Sequence, residues 1–294
     1  DVAILTCVLQ QIDPLADIAT MVVKGATADK ISVDDARLVD EDAAANFQVE
    51  LALWNGCHAA PFDAAAMETL PDPVRRYFEF VFPDGPPRDI SSVEVEMSGE
   101  FRRPLMDNFE PTTARQGAST RKPDLVFSAD TPIYGPLWAI AYDIFVDGEM
   151  EMGAKLLSTL RVVDEKGTPE LNRISLRRWL LESPAWPMAL LPGGPVRWEP
   201  IDDNHARAVI SAYGLQSSMI VTFRDDGGIS ALDAEEEGDL ETPYHGSGEH
   251  TERSDYRLVD GVRVPMSFMI ARAANGEIHP FWSGRITSIR FRRD

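Results

Sequence analysis

The sequence is poor in positive charge. It has 28 lysine and arginine residues against 48 aspartate and glutamate residues, which gives a formal net charge of −20. A chain of this charge repels phosphate backbones and anionic membrane surfaces. We therefore expect no nucleic-acid partner.

Long hydrophobic runs are also missing. No stretch of about 18 uncharged apolar residues occurs, so we expect no transmembrane segment. The opening stretch, residues 1–23, looks apolar, but it contains Asp1, Asp13 and Asp17 and has no basic leading region, so it does not match a signal peptide. These features favour a soluble protein, in either the cytoplasm or the periplasm, and they leave its oligomeric state unknown.

Cysteine is scarce, so a disulfide framework is not expected. The two cysteines, Cys7 and Cys57, both lie near the N-terminus. We interpret them as free, buried thiols. A bridge between two helices is the alternative, because spacing alone cannot show whether two side chains meet.

The first 60 residues differ from the rest. They are rich in alanine and aspartate and contain few turn signals, and apolar residues recur at helical spacing from Ile4 to Ile12. Ser32 can cap a second helix that ends at Asn55-Gly56. We predict a helical N-terminal appendage over residues 1–60 and a β-rich, half-barrel-like domain over residues 61–294.

Two helices are predicted in the second domain. The first follows Pro73 and buries Val74, Tyr77, Phe78 and Val81. The second begins at Thr168-Pro169-Glu170 and covers about 169–182. We expect this second helix to turn three arginines toward solvent: Arg173, Arg177 and Arg178.

The remaining chain shows the alternation of β-strands. Val262, Val264, Met266, Phe268 and Ile270 point one way, and similar runs occur at 93–98 and 219–223. Hairpin signals separate the runs: Asp147-Gly148, Tyr213-Gly214, Asp226-Gly227-Gly228, Asp260-Gly261 and Asn275-Gly276. This pattern predicts a mainly β fold with some α, a curved antiparallel sheet or half-barrel covered by helices.

Five segments together resemble an uncharacterised bacterial domain family of unknown function. They are LPDPVRRYFEFVFPDG (70–85), FVDGEMEMGAKLLSTLRVVDE (145–165), RRWLLESPAWPMALLP (177–192), VRWEPIDDNHARAVI (196–210) and GRITSIRF (284–291). The resemblance covers about 61–294 and implies no activity, substrate or cofactor. The paired-strand rhythm near 198–237 is also similar to that of periplasmic lipoprotein-carrier half-barrels, a likeness of fold alone.

No catalytic or metal motif is complete. In YHGSGEH (244–250), His245 and His250 are five residues apart among glycines, which does not fit a helical zinc site. We expect no metal and no cofactor. His245, His250 and Asp255 remain weak candidates for acid–base chemistry, because the ordinary pKa of histidine suits proton transfer near neutral pH.

Aromatic residues suggest a ligand site. Residues such as Phe281 lie in segments that the fold would bring to the helix-covered face, where a half-barrel encloses a cavity. Arginines could meet an acidic headgroup there. The candidate ligand-binding residues are Tyr134, Trp138, Trp179, Trp186, Trp198, Arg197, Trp282 and Arg285.

The favoured function is therefore the binding of a hydrophobic or amphipathic, lipid-like small molecule in an apolar cavity. Two alternatives stay open. One is an enzyme that uses His245 or His250 in an apolar pocket, and the other is a structural or partner-binding domain whose aromatic residues only pack a core.

Overall fold

The fold is known from a computed structural model that describes residues 64–103, 107–134, 137–156, 160–241 and 248–293. The predicted appendage over residues 1–60 lies outside the described residues, as do both cysteines. The helices are α1 (Ala64–Glu68), α2 (Asp72–Val81) and α3 (Pro169–Glu182), and α3 continues into two short 3₁₀ turns, Ser183–Ala185 and Pro187–Leu190.

In the part of the chain that the structure describes, thirteen antiparallel strands form one curved, unclosed sheet, as the alternating pattern predicts. The strands are β1 (Ile90–Arg102), β2 (Phe109–Ser119), β3 (Leu125–Tyr134), β4 (Leu137–Val146), β5 (Glu149–Leu156), β6 (Leu160–Lys166), β7 (Val196–Pro200), β8 (His205–Ala212), β9 (Leu215–Phe223), β10 (Ile229–Ala234), β11 (Glu249–Val259), β12 (Val262–Ala274) and β13 (Glu277–Arg293). The mainly β fold class is therefore confirmed.

The order of the strands divides the sheet into two meanders. Strands β1 to β6 follow one another across one half, strands β7 to β13 follow one another across the other, and β1 pairs with β13 at the seam. At that seam Gly99 lies opposite Gly284, and a Cβ atom on Gly99 would lie 2.0 Å from the Ser283 carbonyl oxygen. The two backbones therefore approach more closely than a larger residue would allow.

The predicted hairpin turns are confirmed. Four of them have two central residues, and both residues have positive φ, as in Asp147-Gly148 (50° and 86°) and Asn275-Gly276 (55° and 76°). This conformation is that of a type I′ turn, whose twist matches the twist of paired strands. The local sequence thus fixes where these hairpins form.

Helix α2 packs against the sheet as predicted. Asp72–Val81 has Pro73 in its first turn, and its buried residues include Val74, Tyr77, Phe78 and Val81. Tyr77 meets Phe223 of β9 at 6.0 Å between ring centroids. This helix covers part of the inner side of the β7–β13 half.

Helix α3 connects the two edge strands, β6 and β7, and lies inside the curve of the sheet. It begins at Thr168, whose side chain accepts a hydrogen bond from the Leu171 backbone N–H. It contacts β4 and β5 of one half and β8, β9 and β11 of the other. A helix enclosed in this way has almost no solvent-facing side.

That enclosure corrects the expectation of three solvent-facing arginines on α3. Arg177 is only 1% exposed and Arg178 is partly buried. Arg177 forms an ion pair with Glu249 at 2.8 Å. Charged positions on a helix usually face solvent. Here the sheet surrounds α3, and carboxylates of the sheet pair with its guanidinium groups.

Candidate functional site

A cavity of about 230 Å3 lies between α3 and the inner face of the sheet. Its wall comes from β1 to β5, β11 to β13 and one face of α3. Ala141 of β4 belongs to the wall and is solvent-exposed, so the cavity opens to solvent at β4. The lining residues are Phe101, Thr112, Phe127, Ala129, Thr131, Ala141, Asp143, Met152, Gly153, Ile174, Arg178, Leu181, Glu182, Glu249, Ile270, Arg272, Phe281 and Trp282.

Helical periodicity decides which side chains α3 contributes. Ile174, Arg178 and Leu181 are four and three residues apart, so they share one face of the helix and line the cavity. Trp179 is one position past Arg178 and lies on another face. Its indole N–H donates to the Ser119 carbonyl oxygen at 3.3 Å, in the buried core.

The apolar wall is an aromatic cluster at the β1–β13 seam. The ring of Phe101 lies 6.4 Å from the ring of Phe281 and 6.2 Å from the ring of Trp282. Strict alternation would turn Phe281 and Trp282 to opposite faces of β13. The pairing of β12 with β13 shifts between Ile270 and Ala271, and both aromatic side chains line the cavity.

One charged group on the wall is Arg178 of α3. Its guanidinium donates to Asp143 of β4 and to Glu182, the latter at 2.8 Å. It also lies over the Phe127 ring, 4.7 Å from the centroid. This ion pair fixes α3 against β4 beside the cavity opening, and it satisfies two of the lining carboxylates.

A second charged group lies where β11 and β12 reach the cavity. Glu249 and Arg272 are direct partners across the two strands. Glu249 is held by Arg177 from α3, at 2.8 Å. Burial lowers the pKa of Arg272, and Glu249 and Asp239 oppose that shift only in part. Desolvation of the Arg272 cation is therefore the dominant effect at this position.

Of the eight candidate ligand-binding residues, Trp282 lies in the cavity wall. Tyr134 and Trp138 lie on the neighbouring strands β3 and β4, and nothing is described of their side chains. Trp179 and Trp186 are fully buried in the core, at 0% and 1% exposure. Of the described side chains in this group, the structure therefore brings Trp282 to the cavity.

The other three candidates lie elsewhere. Trp198 of β7 donates from its indole N–H to the Leu190 carbonyl oxygen at 3.1 Å. Arg197 pairs with Glu199 on the exposed side of the same edge strand. Arg285 is exposed and pairs with Asp255, itself a candidate acid–base residue.

Several lining residues escape sequence reasoning. Phe101 and Phe127 continue the alternation of β1 and β3, which signals an inward side chain but not a cavity. Arg178 and Arg272 carry no motif. Their charges would place them at the surface by default, and only the path of the chain around α3 brings them inward.

Of the two candidate histidines, His250 is not among the residues that line the cavity. His245 lies outside the described residues. His250 follows Glu249 on β11, and because Glu249 and Arg253 face α3, alternation turns His250 to the opposite side of the sheet. There its Nδ1 lies 2.6 Å from Asp233 Oδ1.

The His250–Asp233 pair has a clear electrostatic consequence. The hydrogen bond to Asp233 raises the pKa of His250 above its ordinary value, although burial opposes the shift.

Asp255 lies five residues further along β11 than His250, about 17 Å away at strand spacing. These two candidates therefore do not form one site. Within the described ranges, no three histidine, cysteine or acidic side chains lie close enough to hold a metal ion.

Comparison with known proteins gives a family and two distant structural likenesses. The model of a family of unknown function (DUF6920) matches residues 68–291. A LolA superfamily protein from Nitrosomonas europaea is similar at 9% sequence identity and a TM-score of 0.35, over 75% of this chain and 92% of that chain. A porin-like protein from Bacteroides uniformis is similar at 9% identity and a TM-score of 0.22, over 70% of this chain and 96% of that chain.

No curated protein matches the chain. Among the helices of the described ranges, none has the length and apolar character needed to cross a membrane. The resemblance drawn from segments between residues 70 and 291 is confirmed at the level of the family.

Proposed function

The chain belongs to this family of unknown function, and since membership assigns no activity, we propose from the cavity itself that the protein binds a hydrophobic or amphipathic small molecule between α3 and the curved sheet. The observation that carries the proposal is an apolar recess inside the fold, walled by Phe101, Phe127, Phe281 and Trp282. Sites for small molecules are concave and mostly apolar, with a few charged or polar groups.

Close packing of the core supports the interpretation of the cavity as a ligand site and not as a packing defect. Native interiors are close-packed and leave few voids larger than a water molecule. Elsewhere on the inner face, Trp179, Trp186, Leu176 and Leu180 are each at most 1% exposed. The cavity adjoins this packed part of the core and coincides with the aromatic wall at the β1–β13 seam.

The size of the cavity limits the size of the ligands that can fit. Its volume of about 230 Å3 is below the roughly 300–1,000 Å3 that is usual for sites of drug-sized ligands. A small compound or a single short alkyl chain is the best match. A longer chain would extend through the opening at Ala141.

The two alternative functions receive less support. An enzyme would be favoured by a histidine beside a carboxylate inside the cavity, whereas His250 and Asp233 pair on the other side of the sheet. A purely structural domain would be favoured by a filled core, whereas the recess opens to solvent at Ala141.

Quenching of tryptophan fluorescence by 8-bromo-1-octanol tests the proposal, because a bromine atom quenches the fluorescence of an indole that it contacts. We expect saturable quenching of the parent protein. Trp282→Phe should remove most of the quenching, since Trp282 lines the cavity. Trp186→Phe is the matched control, since Trp186 is fully buried away from the wall, and it should keep the quenching. Parent protein that shows no saturable quenching would refute ligand binding.

A further inference from the structure

The charged groups that line the cavity have partners within the chain. Arg178 donates to both Asp143 and Glu182, and Glu249 pairs with a guanidinium of α3 at 2.8 Å. Arg272, the cross-strand partner of Glu249, also has interactions within the chain. A charged ligand would have to compete with these partners and give up its own hydration, whereas an uncharged ligand meets neither cost.

Two hydroxyl groups give the wall a polar feature that an uncharged ligand can match. Thr112 of β2 and Thr131 of β3 both line the cavity, and their Oγ1 atoms lie 3.0 Å apart. The Oγ1 atom of Thr112 also lies 3.1 Å from the carbonyl oxygen of Glu110. Thr112 pairs with Gly99 of β1, two residues from Phe101, so the hydroxyl pair adjoins the aromatic wall.

The number of protons in the hydroxyl pair determines which ligand groups it can bind. Each threonine hydroxyl has one proton and two lone pairs. The Glu110 carbonyl oxygen can only accept, so the Thr112 proton goes to it and the Thr131 proton goes to Thr112 Oγ1. Both protons are then in use, and the capacity that remains is the lone pairs of the two Oγ1 atoms. The pair therefore accepts hydrogen bonds from a ligand and donates none.

We propose, building on the proposed function, that the ligand is an uncharged amphiphile with a hydroxyl group, which donates to Thr131 Oγ1 while its hydrocarbon part lies against Phe101 and Trp282. This bond replaces the one that the hydroxyl loses on leaving water. An ether or ketone of the same size can only accept, so its oxygen would be buried without a donor from the pair. The volume of about 230 Å3 holds one short chain or one ring beside the hydroxyl.

The test compares two isomers, 1-octanol and 1-methoxyheptane, which have the same atoms but differ in that only the alcohol can donate. Each competes with 8-bromo-1-octanol for the parent protein at neutral pH. We expect 1-octanol to bind about three- to tenfold more tightly, the effect of one net hydrogen bond. Octanoate and octylamine, which carry a charge on the same chain, should each bind more weakly than 1-octanol.

Substitution of the threonines assigns the preference to the hydroxyl pair. Thr112→Val combined with Thr131→Val keeps the shape of the wall and removes both hydroxyls, so the two isomers should bind equally. Thr112→Val alone frees the Thr131 proton, so it should strengthen the binding of 1-methoxyheptane about three- to tenfold. Thr113→Val is the matched control, because Thr113 is the next residue on β2 and is exposed, and it should keep the preference of the parent protein.

Equal binding of the two isomers by the parent protein, or tighter binding of octanoate or octylamine than of 1-octanol, would overturn this proposal while leaving ligand binding intact. A preference for 1-octanol that survives the double substitution would overturn the role of the threonine pair. Unchanged binding of 1-methoxyheptane by Thr112→Val would overturn the order of the protons. If the parent protein binds neither isomer and shows no saturable quenching by 8-bromo-1-octanol, the proposed function itself is refuted.

Discussion

The hydroxyl of Tyr213 donates a hydrogen bond to Oδ1 of Asp124 at 2.5 Å, and this bond joins the two halves of the open sheet. Tyr213 lies in the β8–β9 turn, and Asp124 lies between β2 and β3. The Tyr213 ring also meets Phe145 at 6.3 Å, and its Cβ leaves no room for a side chain at Gly148. The contact therefore links the β8–β9 turn of one half to the β2–β3 loop of the other.

Tyr213→Phe should therefore lower the free energy of unfolding. The ring and its contact with Phe145 remain, but the fully buried Asp124 loses one donor and keeps the Asp147 backbone N–H. We expect a loss of about 1–3 kcal/mol in urea denaturation. Lys122→Gln is the control, since it removes a partly exposed ion pair to the same Asp124 and should cost about 0–1 kcal/mol. Equal effects of the two variants would show that Tyr213 does not join the halves.

The His250–Asp233 pair predicts a pH dependence of stability. The pKa of His250 is raised in the folded state by the Asp233 hydrogen bond, with Glu252 acting in the same direction. A raised folded pKa contributes stability that is present below the unfolded pKa, near 6.5, and is lost as pH rises through the folded value. Denaturation at several pH values should show this decline.

The same pair offers a direct check by NMR titration. The His250 ring should titrate above about 6.5 in the parent protein, and Asp233→Asn should lower that value. His250→Gln should abolish the decline in stability. A His250 pKa at or below the ordinary value would show that the Asp233 bond does not form in solution.

The close approach at the β1–β13 seam predicts intolerance of any side chain there. In Gly99→Ala the new Cβ would meet the Ser283 carbonyl oxygen, so the seam must open, at a cost of about 1–3 kcal/mol or more. Gly194→Ala is the matched control, because its Cβ would meet nothing closer than 3.4 Å. Thermal unfolding should separate the two, and a Gly99→Ala protein as stable as the control would contradict the described seam.

Local signals were enough to predict most elements of the sheet and both main helices. Thr168-Pro169 marks the start of α3, and Asp-Gly or Asn-Gly marks four of the hairpins, because these residues favour the required backbone angles without help from the rest of the fold. The β1–β13 seam carries no such signal. Val95 pairs with Ile289, and no local sequence feature of either strand identifies the other as its partner.

The candidate site was harder to predict for a related reason. A helix enclosed by a sheet is buried on nearly all sides, so its apolar pattern does not reveal that Arg178 rather than Trp179 faces the cavity. The shifted pairing near Ile270 brings Phe281 beside Trp282, which strict alternation cannot foresee. Trp282 was identified because it is large and aromatic, while Arg272 was missed because charge predicts exposure.

If the recess between α3 and the sheet holds a ligand, as we propose, a side chain that fills the recess should exclude that ligand. Ala129 lines the recess, whereas Ala118 of β2 lies in the packed core at 0% exposure. The measurement is the melting temperature of Ala129→Leu and of Ala118→Leu, taken together with 8-bromo-1-octanol quenching of each.

We expect Ala129→Leu to raise the melting temperature, since the new side chain gains about 1–2 kcal/mol of apolar contact in open space, and to abolish quenching. Ala118→Leu should lower stability by about 1–3 kcal/mol through overpacking and keep its quenching. An Ala129→Leu protein that is destabilised like Ala118→Leu, or that still binds the probe with the affinity of the parent, would show that the recess is not the ligand site.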